Sequence, residues 1–193
     1  AYRELYVRWT QFATFTPMMR SHGTNTPREI YQFGEKGSWE FEALEKYVCF
    51  RYSLLPYLYS TAWQVSKNSD TFMRALFMDY PQDSKVLDMD NQYMFGRSLL
   101  VAPVTQPMYV GKNRLVNIQD THSTNVYLPI GNSWFDFWTG KRYQGGQSVT
   151  KETPIDIIPL YVKAGSILPI GPDVQYALSL IHISEPTRRV VIS

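Results

Sequence analysis

The cluster Arg20-Ser21-His22-Gly23 is where residue types and spacing in this chain offer chemistry. A neutral imidazole both donates and accepts hydrogen bonds, so His22 suits recognition of a hydroxyl-bearing ligand. Arg20 places a fork of donors beside it. Taken alone, the pair reads more readily as a loop or core hydrogen-bonding unit than as a ligand contact. Arg20 is as well suited to a carboxylate partner, Glu29 for instance, as to a substrate. Other chemically capable residues read as structure. Asp88, Asp90 and Asp136 fall where turn or cap residues fall, and His122 lies in a polar loop and is assigned no role. Cys49 is the single cysteine, which excludes an internal disulfide framework, and no Cys/His cluster has metal-ligand spacing. No metal site is expected.

The aromatic run Trp134-Phe-Asp-Phe-Trp138 has the residue types of a sugar-stacking platform. Alternate residues of a strand face opposite sides, so Trp134 and Trp138 share one face and Phe135 and Phe137 the other. At least one face must be core, and a packing role is favoured over stacking. Tyr47, Tyr52, Tyr57 and Tyr59 read in the same way, as packing residues of a long helix.

These residues need elements to hold them. Leu5, Trp9, Phe12 and Ala13 recur at helical spacing, which predicts a short amphipathic helix over 4–13. Phe15-Thr-Pro-Met-Met reads as a buried strand ending at Arg20, with Gly23 permitting a turn and a loop running from 24 to 37. The strongest helical pattern spans 38–67. Ser38 stands at its N-cap, Glu40 and Glu42 lie near the positive end of its dipole, and Pro56 imposes a kink or a pair of stacked helices. Beyond Asp70 short apolar runs alternate with turn residues: Leu99 to Ala102, Val126 to Leu128, Trp134 to Trp138, Ile155 to Val162 and Ser166 to Leu168. That is the pattern of an antiparallel sandwich or barrel. The domain boundary is expected between Ser66 and Thr71.

Composition sets the frame. With 193 residues, 44% of them hydrophobic, the chain can bury a core. Its 19 basic and 17 acidic residues leave a net charge of +2 without forming blocks, so neither nucleic acid nor an anionic membrane is an expected partner. The aromatic share of 15%, with 14 Tyr and 5 Trp, fits packed cores or sugar-stacking surfaces. No apolar run approaches the roughly 20 residues that span a bilayer. The opening Ala1-Tyr-Arg-Glu-Leu has neither an initiator Met nor a signal-peptide pattern, and the chain reads as an internal piece of a longer polypeptide.

Three segments of the first half, Phe15-Thr-Pro-Met-Met-Arg-Ser-His-Gly, Pro27-Arg-Glu-Ile-Tyr-Gln-Phe-Gly and Arg51-Tyr-Ser-Leu-Leu-Pro-Tyr-Leu-Tyr, resemble glycoside hydrolase family 31. Its best-known members are α-glucosidases and α-xylosidases. The second half agrees in the same order: Asp90-Asn-Gln-Tyr-Met-Phe-Gly, Leu100-Val-Ala-Pro-Val, Tyr127-Leu-Pro, Trp134-Phe-Asp-Phe-Trp-Thr-Gly, and Ile158-Pro-Leu-Tyr-Val-Lys-Ala-Gly-Ser-Ile-Leu-Pro. The resemblance is collinear over about 3–173.

The resemblance implies an α/β region followed by an all-β one. Residues 1–69 would be the end of a (β/α)8 TIM barrel, its last strand and helices, and 70–177 a proximal C-terminal antiparallel β-sandwich. Residues 178–193 depart from the family's pattern. They read as a non-native, poorly packed read-through tail in which His182, Arg188 and Arg189 carry no function.

In such barrels the site lies at the C-terminal ends of the strands. The resemblance carries onto His22, with Arg20 beside it, a contact to a sugar hydroxyl. The implied partner is an oligosaccharide or glycoside substrate, with no cofactor. The implied chemistry is double displacement by two aspartates about 5 to 5.5 Å apart. In the family these come from earlier barrel strands, in motifs absent here, so no acidic residue of this chain is given a catalytic role. The chain alone is expected to be inactive. Pro27-Arg-Glu-Ile-Tyr leans toward xylosidase-like relatives. An α-glucan lyase or transglycosylase on the same scaffold, and a non-catalytic carbohydrate-binding or structural β-module, are the alternatives.

Overall fold

The computed structural model describes residues 2–23, 25–109, 118 and 120–172, and the backbone of 188–191. Helix α1 spans Tyr2–Thr14, close to the predicted extent, but it buries the opposite face from the one expected. Glu4, Val7, Arg8, Gln11 and Thr14 point inward, whereas Leu5 and Trp9 are 51% and 59% exposed. The apolar stripe is genuine. Its Leu5 and Trp9 point outward, while Phe12 meets Tyr93 edge-on, and the helix is docked through Val7 together with polar side chains.

The expected strand after α1 does not form. Phe15 and Thr16 continue into a turn, their amides bonding to Phe12 O and Ala13 O, and 17–23 has no ladder. A barrel strand is held by neighbours on both sides, and none of the described strands pairs with it. Side chains take over that task. The guanidinium of Arg51 donates to Thr14 O and Thr16 O, both at 2.7 Å, and to Pro17 O at 3.0 Å, while the Tyr93 hydroxyl donates to Phe15 O at 2.9 Å.

After a single 3-10 turn at Ile30–Gln32, the predicted long helix appears as two: α2, Trp39–Ser53, and α3, Leu55–Asn68. Ser38 caps α2 as expected, its Oγ accepting from Phe41 N. The break falls at Leu54, which places Pro56 in the first turn of α3, where its missing N–H has no intrahelical partner to lose. Ser69, in the left-handed conformation, ends α3.

The β region contains β1 (Met73–Ala75), β2 (Tyr93–Phe95), β3 (Leu99–Val101), β4 (Ser123–Leu128), β5 (Ser133–Asp136), β6 (Arg142–Gln144), β7 (Gln147–Glu152), β8 (Leu160–Lys163), β9 (Ile167–Ile170) and β10 (Arg188–Val191). One six-stranded sheet has the order β1-β2-β3-β8-β5-β6, every neighbouring pair antiparallel. β4 and β7 form a separate ribbon.

Strand alternation distributes two cores across this sheet. Phe95, Leu99, Val101, Leu160 and Val162 meet Phe15, Tyr47, Leu54, Tyr57 and Leu58 from the helical half. Met94, Leu100, Trp134 and Tyr161 meet Val126, Leu128 and Val149 from the ribbon. With both of its faces covered, β3 is apolar throughout.

Of the predicted strand Ile155–Val162, only the end enters β8. The preceding carbonyls are taken one after another by side chains. Thr153 O, Pro154 O and Ile157 O accept from Arg8, Ile155 O from Gln11, Asp156 O from Tyr47, and Ile158 O from Trp138. Burial lowers the pKa of the Arg8 guanidinium from its ordinary value, opposed chiefly by the charge of Glu4. The Glu4 carboxylate in turn accepts from the amides of Met108 and Tyr109.

Most of the tail expected to be non-native lies outside the described residues: 178–187, which include His182, and 192–193. The exception is β10, whose backbone pairs antiparallel with β9, Val190 opposite Leu168.

Candidate functional site

His22 and Arg20 are brought together at the surface, in the stretch that follows α1. Arg20 Nη2 lies 3.0 Å from His22 Nδ1. A guanidinium can only donate, so Nδ1 must be the acceptor. The neutral ring then carries its proton on Nε2, and the exposed edge of His22 is a hydrogen-bond donor. Arg20 does not take the carboxylate partner considered for it. It is exposed, and among the described ion pairs none joins it to Glu29.

Three hydrogen bonds hold the residues around His22. Arg28 Nη1 donates to His22 O, the Tyr6 hydroxyl donates to Arg28 O at 2.8 Å, and the same hydroxyl lies 2.7 Å from Ser21 Oγ. Gly23 is required for the loop to close, since a Cβ there would sit 2.4 Å from Thr26 O. Ser21 and Gly23, on either side of His22 in sequence, line a groove of about 490 Å³ with Asn25, Thr26, Arg28 and Glu29, rich in hydroxyl, amide and charged groups, and His22 itself is not among its lining residues. A larger groove of about 620 Å³, between α1 and α2, is apolar over much of its lining, with Trp9, Leu44, Val48 and Leu55, and Arg20 stands at its polar end with Ser21 and Arg28. The smaller groove is polar; the larger one runs along the Trp9 side of α1 and is closed by α2.

The remaining candidates are structural. Trp134 is fully buried against Tyr80, its indole N–H donating to Pro129 O at 3.1 Å. β5 ends at Asp136, so the expected alternation stops there, and Phe137 and Trp138 both pack against the helical side of the sheet. Asp136 behaves as the cap residue it was read to be. Its Oδ1 accepts from the amides of Trp138 and Thr139, and Oδ2 pairs with Lys151 at 2.6 Å. Tyr47 and Tyr57 are buried, Tyr52 is half-buried, and Tyr59 departs from the packing role expected of it at 81% exposed. His122 is half-buried against the ring of Tyr109, and its carbonyl accepts from Thr153 N.

Among the described residues no group of His, Cys, Asp and Glu could hold a metal, and no helix is long and apolar enough to cross a membrane. The sequence reading missed Tyr6, Arg28 and Arg51 as the residues holding this loop. Their types allow the role, but only the fold brings them to it.

Comparison with known proteins gives a consistent result. Residues 1–61 match the model described as the glycosyl hydrolases family 31 TIM-barrel domain, and residues 69–168 the glycosyl hydrolase family 31 C-terminal domain. The α-xylosidase of Saccharolobus solfataricus is 42% identical over 178 residues, covering 92% of this chain and 22% of that protein. The human neutral α-glucosidase C is 34% identical over 193 residues, covering 98% of this chain and 20% of that protein. The crystal structure of the family-31 α-xylosidase from Xanthomonas citri superposes with a TM-score of 0.82 at 42% identity, over 96% of this chain and 18% of that one. The chain thus spans about a fifth of the length of the relatives it matches.

Proposed function

From the premise that the chain belongs to glycoside hydrolase family 31, we propose that it serves a retaining α-glycosidase that removes terminal α-linked glucosyl or xylosyl residues. Residues 1–69 are assigned to the end of the catalytic barrel, 70–177 to the proximal β-sandwich and 178–193 to a non-native tail. The contribution of this stretch to chemistry is substrate binding by His22 and Arg20. The nucleophile and the acid belong to the four-fifths of the relatives' length that the chain does not span, so the chain alone is inactive.

The observation that carries this reading is the Arg20–His22 contact at 3.0 Å. It leaves Nε2–H of an exposed imidazole as a donor, and the residues on either side of it, Ser21 and Gly23, line a groove of sugar-compatible groups. Xylose is the expected sugar, supported by the Pro27–Tyr31 loop and by the 42% identity to two α-xylosidases.

The test grafts this chain onto the S. solfataricus α-xylosidase in place of its matching stretch and compares His22 with His22→Ala on aryl α-xyloside and aryl α-glucoside. Loss of a hydrogen bond to the reacting sugar is expected to lower kcat/KM at least tenfold, about 1.4 kcal/mol or more, with circular dichroism unchanged. Unchanged kinetics on whichever substrate is cleaved would return His22 to a structural role. Product analysis separates hydrolysis from transglycosylation or lyase chemistry.

A further inference from the structure

The loop bearing His22 has no strand ladder, so something else must hold the imidazole still, and one side chain is built for this. Tyr6 lies on the second turn of α1, its ring stacked on Phe33 with centroids 3.8 Å apart and planes 11° from parallel. Phe33 is buried with Val7, Ala43 and Leu44, so the Tyr6 ring rests on a rigid base. Its hydroxyl gives its proton to Arg28 O and accepts from Ser21 Oγ, the residue before His22. Arg28 closes the circuit by donating from Nη1 to His22 O. A single hydroxyl therefore ties both ends of the 21–28 loop to the helix.

We infer that Tyr6 is a positioning residue for His22, setting where its Nε2–H points while touching no substrate itself. This rests on the assignment of His22 to the substrate site. Displacements of about 1 Å in such a site cost up to a hundredfold in rate, so removing the one hydroxyl that anchors both loop ends has a catalytic consequence out of proportion to its effect on folding.

The Tyr6→Phe variant deletes the hydroxyl and keeps the stacked ring. In the grafted enzyme it is expected to lower kcat/KM about tenfold with an unchanged melting temperature, and to have no further effect on a His22→Ala background. A silent Tyr6→Phe beside an impaired His22→Ala overturns the inference and leaves the site assignment standing. Losses that multiply in the double variant also overturn it, because Tyr6 would then act elsewhere. A silent His22→Ala removes the site assignment and this inference together. A second measurement needs no activity: in the 193-residue chain, the backbone NMR order parameters of Ser21 to Gly23 are expected to fall in Tyr6→Phe, with those of α1 unaffected. Unchanged order parameters there refute the anchoring.

Discussion

The turn at 153–158 and the ladder of β3 and β8 adjoin in sequence, and they satisfy their backbone in opposite ways. In the ladder, Leu99, Leu100 and Val101 pair with Val162, Tyr161 and Leu160, and their side chains complete apolar cores on both sides. In the turn every carbonyl from Thr153 to Ile158 accepts from a side chain, and the donors Arg8, Gln11, Tyr47 and Trp138 come from α1, α2 and the segment after β5. The ladder is indifferent to the chemistry of its side chains as long as they fill space. The turn depends on particular donors, and the bonds to Thr153 O and Ile155 O are buried, where an unpaired carbonyl is costly. Stability in the β region should therefore follow volume, and attachment of the helical half should follow hydrogen-bonding capacity.

The largest effect is expected where volume decides. Trp134→Ala empties the centre of the ribbon-side core and removes the donor to Pro129 O, and large-to-small changes of this kind cost about 3 to 5 kcal/mol. Urea denaturation followed by fluorescence and far-ultraviolet circular dichroism measures it. A loss below about 1 kcal/mol would mean that the sheet is not organised around this residue.

Arg8→Met tests the other side of the comparison, since it keeps most of the volume and deletes the donors. Several carbonyls and the partner oxygen of Gln11 lose their bonds, at about 1 to 3 kcal/mol for each buried group left unsatisfied and with partial relaxation expected. The expected net loss is about 2 to 3 kcal/mol by the same denaturation. Its signature is regional: hydrogen exchange should rise in α1 and 153–158 while β3 and β8 remain protected. Equal loosening of both regions would erase the distinction drawn here.

The same contrast explains what could be read from sequence. Ser38 and Pro56 act through their own neighbours, so the start of α2 and the break before α3 were legible. The short apolar runs of the β region were legible too, because burial on a sheet leaves a local pattern. The inward face of α1 was not. A stripe of Leu5, Trp9 and Phe12 says that a face will be covered but not by what, and the covering of the opposite face depends on carbonyls more than 140 positions away. For the same reason Ile155 to Ile158 looked like strand: its apolar residues suited a sheet, while its carbonyls were already engaged by donors from distant helices and from Trp138. At the candidate site, residue types pointed to His22 and Arg20 through motif. The bond between them, the tautomer it dictates and the anchoring hydroxyl of Tyr6 required the fold.

The smallest effect is expected on the face that α1 turns outward. Trp9 lies 59% exposed, in edge contact with Phe12, at the meeting point of two grooves, and its neighbour on the stripe, Leu5, is 51% exposed. If the inward face alone docks the helix, Trp9→Gln should change the unfolding free energy of the chain by no more than about 0.5 kcal/mol, as for surface substitutions elsewhere. It should also lower self-association in sedimentation or light scattering, because an exposed indole beside other apolar groups is a site of adhesion. A cost above about 1.5 kcal/mol would show that the stripe is already buried in solution, by a second copy of the chain or by its own residues. Concentration dependence separates those cases: a loss that grows with protein concentration identifies the second copy, and one that does not places the cover within the chain. Either result would make the outward stripe a further anchor of α1, beside the polar turn and the packing of Val7 against Phe33 and Leu44.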